Sequence, residues 1–355
     1  MEFRAPHSEL LQILSSIEKV LGKSSISVLS HVLIEADEQN VQFTVTDLEV
    51  CVTRTFKCDV LKPGACTMPA KKLREIWEAL PSGTHTFQVD SKFNGLIDYN
   101  TGQFRIFGFG REEYPPIAKC GVSKSFVIDQ KTLKDALFYA SISMSTDETR
   151  QVLNSVYFHS DDTLKIVSTD GRRLSIYDTE LKTQKLGVVI PAKTIRYLIS
   201  NLGDTGTVRV SIEETLCRFD WTGHKLISKI VDAQFPDYKR VVPDTNNGVV
   251  CNINRQELLG SVHRIALMQE IPGAITLEFD KNLKISLSTD TGDGIEEVAC
   301  NWSEAPFKIG FNPEFLMAVL RSGDINASFV IAPNAPFVIS TKQNFKYILM
   351  PMRTL

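Results

Sequence analysis

The residues with the means to do chemistry are few and poorly arranged for it. Six histidines (7, 31, 85, 159, 224 and 263) show no HxH or HxxxH spacing, so they offer no helical or strand pair of metal ligands. Seven cysteines (51, 58, 66, 120, 217, 251 and 300) are odd in number and contain no CxxC pair. That fits reduced thiols rather than disulfides or a zinc site. Gly108-Phe109-Gly110 lacks the third glycine of a dinucleotide loop, and no Walker loop or nucleophile elbow is present. The segment 290–294 has the flavour of a calcium loop but lacks the glutamate at position twelve. Three Thr-Asp pairs remain as candidate carboxylates: Thr46-Asp47, Thr169-Asp170 and Thr289-Asp290. Each closes an alternating apolar run, where an Asp side chain capping a turn explains it without catalysis. The sequence therefore offers no catalytic residue, no metal ligand set and no cofactor motif.

Those Thr-Asp pairs recur at steps of 123 and 120 residues. A helix-opening phrase recurs with them, at Lys72-Leu73, Thr194-Ile195 and Phe315-Leu316, and a third apolar pattern begins at Leu10, Leu133 and Leu258. Three markers on one period of about 120 residues describe a domain rather than a solenoid unit. The 355 residues are thus read as three tandem copies, 1–120, 121–245 and 246–355. Each copy reads as α+β. The first helices are predicted over 8–23, 130–142 and 255–268, the second over about 69–80, 191–202 and 312–322, with both helices on one face of antiparallel strands. Asp129 and Asn254 are the expected N-caps of two first helices, with Glu257 at the capping-box position and Pro6 in the first turn of copy one. Runs such as HTFQVD, FRIFGFG, TVRVSI, CRFDW and FVIAPN read as strands.

Composition is ordinary, with 43% hydrophobic and 23% charged residues. No apolar run reaches membrane-spanning length and no signal peptide is evident, so the expected location is the cytoplasm. The net charge of −3 argues against a general nucleic-acid coat, but its distribution is uneven. The six predicted helices sum to +5 and the rest of the chain to −8, so a surface made by the helices attracts phosphate.

Four motifs carry a family resemblance over the whole length: STDGRRLSIY at 168–177, DETRQVLN at 147–154, QFPDYKRVVP at 234–243 and YILMPMRTL at 347–355. The chain resembles the bacterial DNA polymerase III beta subunit. The resemblance implies a DNA-clamp fold and a head-to-tail homodimer whose six domains close around duplex DNA, with helices lining the hole. It also implies no enzymatic activity and no cofactor. Geometry agrees: domains about 35 Å across leave a hole of about 5 Å in a ring of three, 15 Å in four and 35 Å in six. Only the last passes a duplex, so three domains need a partner chain.

Carried over by resemblance, the DNA contacts are Lys23, Lys71, Arg150 and Lys193, with Lys72 and Arg196 as neighbours of these. Gln151-Val152 stands where relatives can carry aromatic residues, which sets stacking on single-stranded DNA apart as an open point. A cleft for a partner's short glutamine-led hydrophobic motif would use Leu153, Thr169, Gly171, Arg173, Leu174, Pro236, Arg240, Val241, Ile348, Leu349, Met350, Pro351 and Met352. There Leu, Val and Met would give the apolar pocket and Arg the polar rim. Thr354 is an insertion in the common MPMRL ending. The dimer interface would set Phe104 and Ile106 against Leu267 and Met268. The implied partners are duplex DNA held without sequence preference, a second copy of the chain, the polymerase III catalytic subunit, the clamp loader, and other polymerases and repair proteins. Two other readings stand beside this one: a scaffold unconnected with DNA, and an enzyme using the Thr-Asp turns.

Overall fold

The computed structural model describes residues 1–22, 26–99, 101–245, 248–269, 273–331 and 336–353. Two compact units emerge. The first comprises Met1–Lys134 with Lys193–Ile230, the second Asp135–Ala192 with Val231–Leu355. Six α-helices are described: α1 (His7–Glu18), α2 (Ala70–Ala79), α3 (Gln130–Ser141), α4 (Ala192–Asn201), α5 (Arg255–Ala266) and α6 (Pro313–Leu320). All strand pairs among the described residues are antiparallel, and the three copies of one α+β domain are plain in the strand order.

The first unit holds two sheets. One runs Asp59–Lys62, Glu2–Pro6, Thr84–Val89, Gly95–Tyr99, Gly102–Ile106. The other has eight strands: Lys124–Asp129, Thr207–Ile212, Leu216–Trp221 and His224–Lys229 from copy two, then Val50–Lys57, Asn40–Thr46, His31–Ala36 and Gly64–Pro69 from copy one. The copies are thus stitched into one sheet by pairing His224 with Arg54 through to Ser228 with Val50. The second unit repeats the plan. Leu186–Pro191, Ser155–Ser160, Thr163–Thr169 and Arg173–Lys182 from copy two continue into Phe345–Leu349, Phe337–Ser340, Asn326–Ile331 and Val249–Asn254 from copy three. The stitch here pairs Arg173 with Leu349 through to Tyr177 with Phe345. A last sheet runs Gly292–Ala299, Asn282–Thr289, Ile275–Phe279, Phe307–Phe311.

Helix starts follow their caps. Asn254 accepts hydrogen bonds from the Gln256 and Glu257 amides at 3.0 and 3.1 Å, and Asn312 accepts from Glu314 at 2.9 Å ahead of Pro313. Pro6 sits at the N-cap of α1 rather than inside its first turn. α1 ends at Glu18, not at residue 23, yet Val20 beyond it stays buried. The apolar stripe therefore outlasts the helix, which is why periodicity overran its end. The expected strand through FRIFGFG also stops early, at Ile106. Gly108 lies against the Thr67 backbone, where an added Cβ would meet the Thr67 carbonyl oxygen at 2.2 Å, and the chain bridges Thr67 to Phe109 instead of continuing.

The Thr-Asp turns are structural. Asp47 accepts from the amides of Glu49 and Val50, and Asp170 from those of Arg172 and Arg173, at 2.8–3.1 Å. In all three copies the threonine hydroxyl donates back to a carbonyl across the turn, at Val50, Arg173 and Gly292. Position 48 of this turn has φ +73°, where copy two carries Gly171 at φ +92°. A leucine there pays the left-handed penalty of about 1–2 kcal/mol. Leu48→Gly is accordingly expected to stabilise the chain by about 1 kcal/mol after the entropy of a freer unfolded state is set against it. An unchanged or lower urea midpoint would show the turn to be relaxed as it stands.

Candidate peptide cleft, basic helices and free strand edges

The thirteen expected cleft residues all lie in the second unit, but on more than one surface. Leu174 faces Ile348 across the stitch, and both are buried in one apolar layer with Ile176, Phe235 and Tyr238. Residues 235–242 cross this layer. Their position is held by Tyr238, whose hydroxyl lies 2.7 Å from His159 Nδ1. Burial lowers the His159 pKa and raises that of Tyr238, so a neutral imidazole meets a protonated phenol. Phe235 stacks on Tyr157 at 4.7 Å beneath the loop. Pro236, Arg240 and Val241 are left exposed at its surface, with Arg240 side chain 83% accessible and paired to Asp237.

The C-terminal segment is anchored at two points. Met350 N–H donates to the Arg172 carbonyl at 3.2 Å, and Met352 N–H to Gly310 at 2.8 Å. Met350 is half-buried, Pro351 exposed and Met352 42% exposed, while Leu349 and Leu153 belong to the core. Thr169 and Gly171 lie in the turn already described. Arg173, expected at a polar rim, sits elsewhere. Alternation along the strand sends it to the face opposite Leu174, where it bonds Asp170 at 2.9 Å, approaches the Tyr347 hydroxyl at 3.5 Å and lies 4.3 Å over the Phe315 ring. The exposed apolar residues of the set are thus Pro236, Val241, Pro351 and Met352, with Leu174 and Ile348 buried in the layer beneath the loop. Thr354 lies outside the described residues.

Of the expected DNA contacts, Lys71 and Lys72 project from α2, 3.9 and 3.7 Å from Glu75. Lys193 and Arg196 lie on α4 of the same unit. Lys193 is ion-paired with Asp47, the turn carboxylate of copy one, whereas exposed Arg196 has no carboxylate within 4 Å among the described residues. Arg150, in the second unit, is exposed and likewise has none. Lys23 lies outside the described residues. Because α1 and α6 end early, the helices carry +2 rather than +5. Lys19 and Arg321 fall at their C-caps, where cations meet the negative end of the helix dipole.

The expected interface residues lie on or beside sheet edges. Phe104 and Ile106 lie on Gly102–Ile106, the last strand of its sheet; Phe104 is 37% exposed and stacked on Tyr99 at 5.7 Å, while Ile106 is already buried. Leu267, just past α5, is 71% exposed. Beside it, Met268 touches the Cβ positions of Gly292 and Gly294 on the edge strand Gly292–Ala299. These two glycines escaped the sequence reading, as did Phe107, which is more exposed than Phe104. Strand rows reveal the glycines' place. Val45–Val52 and Ser168–Ser175 pair two residues before the Thr-Asp aspartate; in copy three, one residue longer there, the row is Leu287–Gly294.

Among the described residues no cluster of three or more His, Cys, Asp or Glu has the makings of a metal site, and no helix is long and apolar enough to cross a membrane. A triplicated α+β chain whose distinguishing features are net-positive helices α2 to α5, an apolar surface recess and open sheet edges has the architecture of a DNA clamp. Family models describe the N-terminal, central and C-terminal domains of the DNA polymerase III beta subunit, and they match residues 1–118, 127–237 and 239–353. The chain belongs to this family, and its function is that of a DNA sliding clamp, a non-catalytic processivity factor acting with DNA and a DNA polymerase. Beta sliding clamps of Chlamydia muridarum and Caulobacter vibrioides are 27% and 28% identical over 99% of the chain and 99–100% of their own length. Solved sliding clamps of Pseudomonas aeruginosa (27% identity, TM-score 0.94) and Bartonella birtlesii (29%, 0.93), each bound to griselimycin, cover the whole of both chains.

Proposed function

We propose that two copies of this chain close head-to-tail into a ring of six domains around duplex DNA, divided at 1–120, 121–245 and 246–355. The observation that carries the reading is the pair of unmatched sheet edges. In the first unit a row of paired residues runs Phe126, Val210, Phe219, Leu226 and on to Val52. In the second it runs Cys251, Phe329, Ile339, Tyr347 and on to Ser175. The copy-one row, Phe3, Phe87, Ile97, Phe104, has no next member. By repeat equivalence that member is Gly294, and two residues along Ile106 would meet Gly292. Large side chains on one edge would then face glycines on the other, and cover Met268 and Leu267 beyond them. Open edges of this kind invite pairing with another chain, and pairing one chain's first copy with the third copy of its partner closes a heterologous ring.

Around the hole, Lys23, Lys71, Lys72, Arg150, Lys193 and Arg196 would touch phosphates without reading base edges, so sliding costs little. The cleft of the second unit would take a glutamine-led hydrophobic motif carried by the polymerase III catalytic subunit, the clamp loader, and other polymerases and repair proteins. The cytoplasm is the compartment this work requires. Retention on DNA should follow topology: once loaded, the ring is expected to stay on closed circles through moderate salt and to leave linear DNA through its ends. Equal loss from circles and linear molecules, followed by gel filtration, would contradict encirclement.

A further inference from the structure

A recess of about 670 Å³ opens in the second unit, and none of the expected cleft residues lines it. We propose that it receives an acidic segment flanking the partner's hydrophobic motif, so that the docking surface reads two features rather than one; the proposal rests on the cleft reading above. Position argues for continuity. Leu174–Ile348 and Ile176–Lys346 are successive like-facing pairs across one stitch, about 7 Å apart along the strands. The first pair belongs to the cleft, and both residues of the second line the recess. The same loop walls both: Pro236, Arg240 and Val241 belong to the cleft, while Tyr238, Lys239 and Val242 line the recess. One apolar layer runs beneath, through Leu174, Ile348, Ile176 and Tyr238. An extended peptide leaving the cleft therefore needs only two or three residues to arrive, and the volume accommodates that many side chains.

Charge selects the occupant. Four lysines line the recess against Asp178 and Glu180. Lys165, Lys239 and Lys342 are each engaged by an aspartate: Asp178, Asp161 and Asp135. Lys346 is exposed and, among the described residues, has no carboxylate within 4 Å. An incoming carboxylate would supply its partner.

The test uses the full chain and five labelled peptides in fluorescence polarisation: a short glutamine-led hydrophobic motif, the motif with four added Asp/Glu residues on one side or on the other, and the two counterparts of these with Ser/Gln. At low salt one acidic extension is expected to bind about fivefold tighter than its neutral counterpart, with the gain shrinking in salt. Lys346→Glu should erase that gain and leave the short peptide's affinity within about twofold, and Lys346→Ala should give an intermediate result. Equal binding of acidic and neutral extensions, or a gain that survives Lys346→Glu, overturns the proposal while the cleft stands. Failure of the short peptide to bind would instead overturn the cleft reading, and the proposal with it.

Discussion

Removal of residues 350–355 is expected to abolish binding of a glutamine-led hydrophobic peptide while leaving the dimer mass unchanged. The deleted segment contributes Met350 and Met352, and its two backbone hydrogen bonds, to Arg172 and Gly310, hold it in place. Met352 is among the few exposed apolar groups at the surface, so its loss removes an anchor outright; burying such a side chain is worth about 1.5–3 kcal/mol. The proposed interface residues Phe104, Ile106, Leu267 and Met268 lie outside the deletion. Single substitutions should grade with position: Met352→Ala and Pro236→Gly should cost more than Arg240→Ala, whose side chain is solvated and already paired with Asp237. Near-native affinity of the truncated chain in fluorescence titration would mean the peptide binds elsewhere.

Leu267→Lys should convert the proposed dimer to monomers and, as a consequence, release the protein from closed circular DNA. The side chain is 71% exposed in the single chain, so the substitution costs the isolated protomer little. In the proposed interface the new ammonium would be buried without a partner, a penalty of several kcal/mol in each of two symmetry-related contacts. The far-UV spectrum and melting profile of the monomer should stay near those of the parent. Sedimentation at micromolar concentration reads the outcome, and an unchanged dimer mass would remove Leu267 from the interface.

The repeat, the two helices per copy and the capping of α5 by Asn254 were legible because they rest on local chemistry: a period, an apolar stripe, one side chain reaching two amides. The turn-capping role of Asp47 and Asp170 was legible for the same reason. Helix ends were less so, since Val20 remains buried after α1 has stopped. The face taken by Arg173 was available in principle, because it and Leu174 are neighbours in a strand and must diverge. The Lys193–Asp47 pair was not available, as it joins residues 146 apart through folding alone. Nor was the His159–Tyr238 bond that fixes the loop at 235–242, whose partners lie 79 residues apart. The opposition of Phe104 and Ile106 to two glycines becomes visible only when strand rows are counted.

The stitched sheets bear on how such a chain can be cut. The sequence repeats copy by copy, yet the sheets do not part between the copies: His224–Lys229 belongs with Val50–Lys57, and Phe345–Leu349 with Arg173–Lys182. A fragment ending near residue 120 would carry Val50–Lys57 with its outer hydrogen-bonding groups bare, an adhesive margin instead of a finished surface. The unit that repeats in the gene is therefore not the unit that is complete in the protein. Modules excised for crystallography or fusion would need breaks through the middle of a copy, or a companion fragment to close the margin left behind.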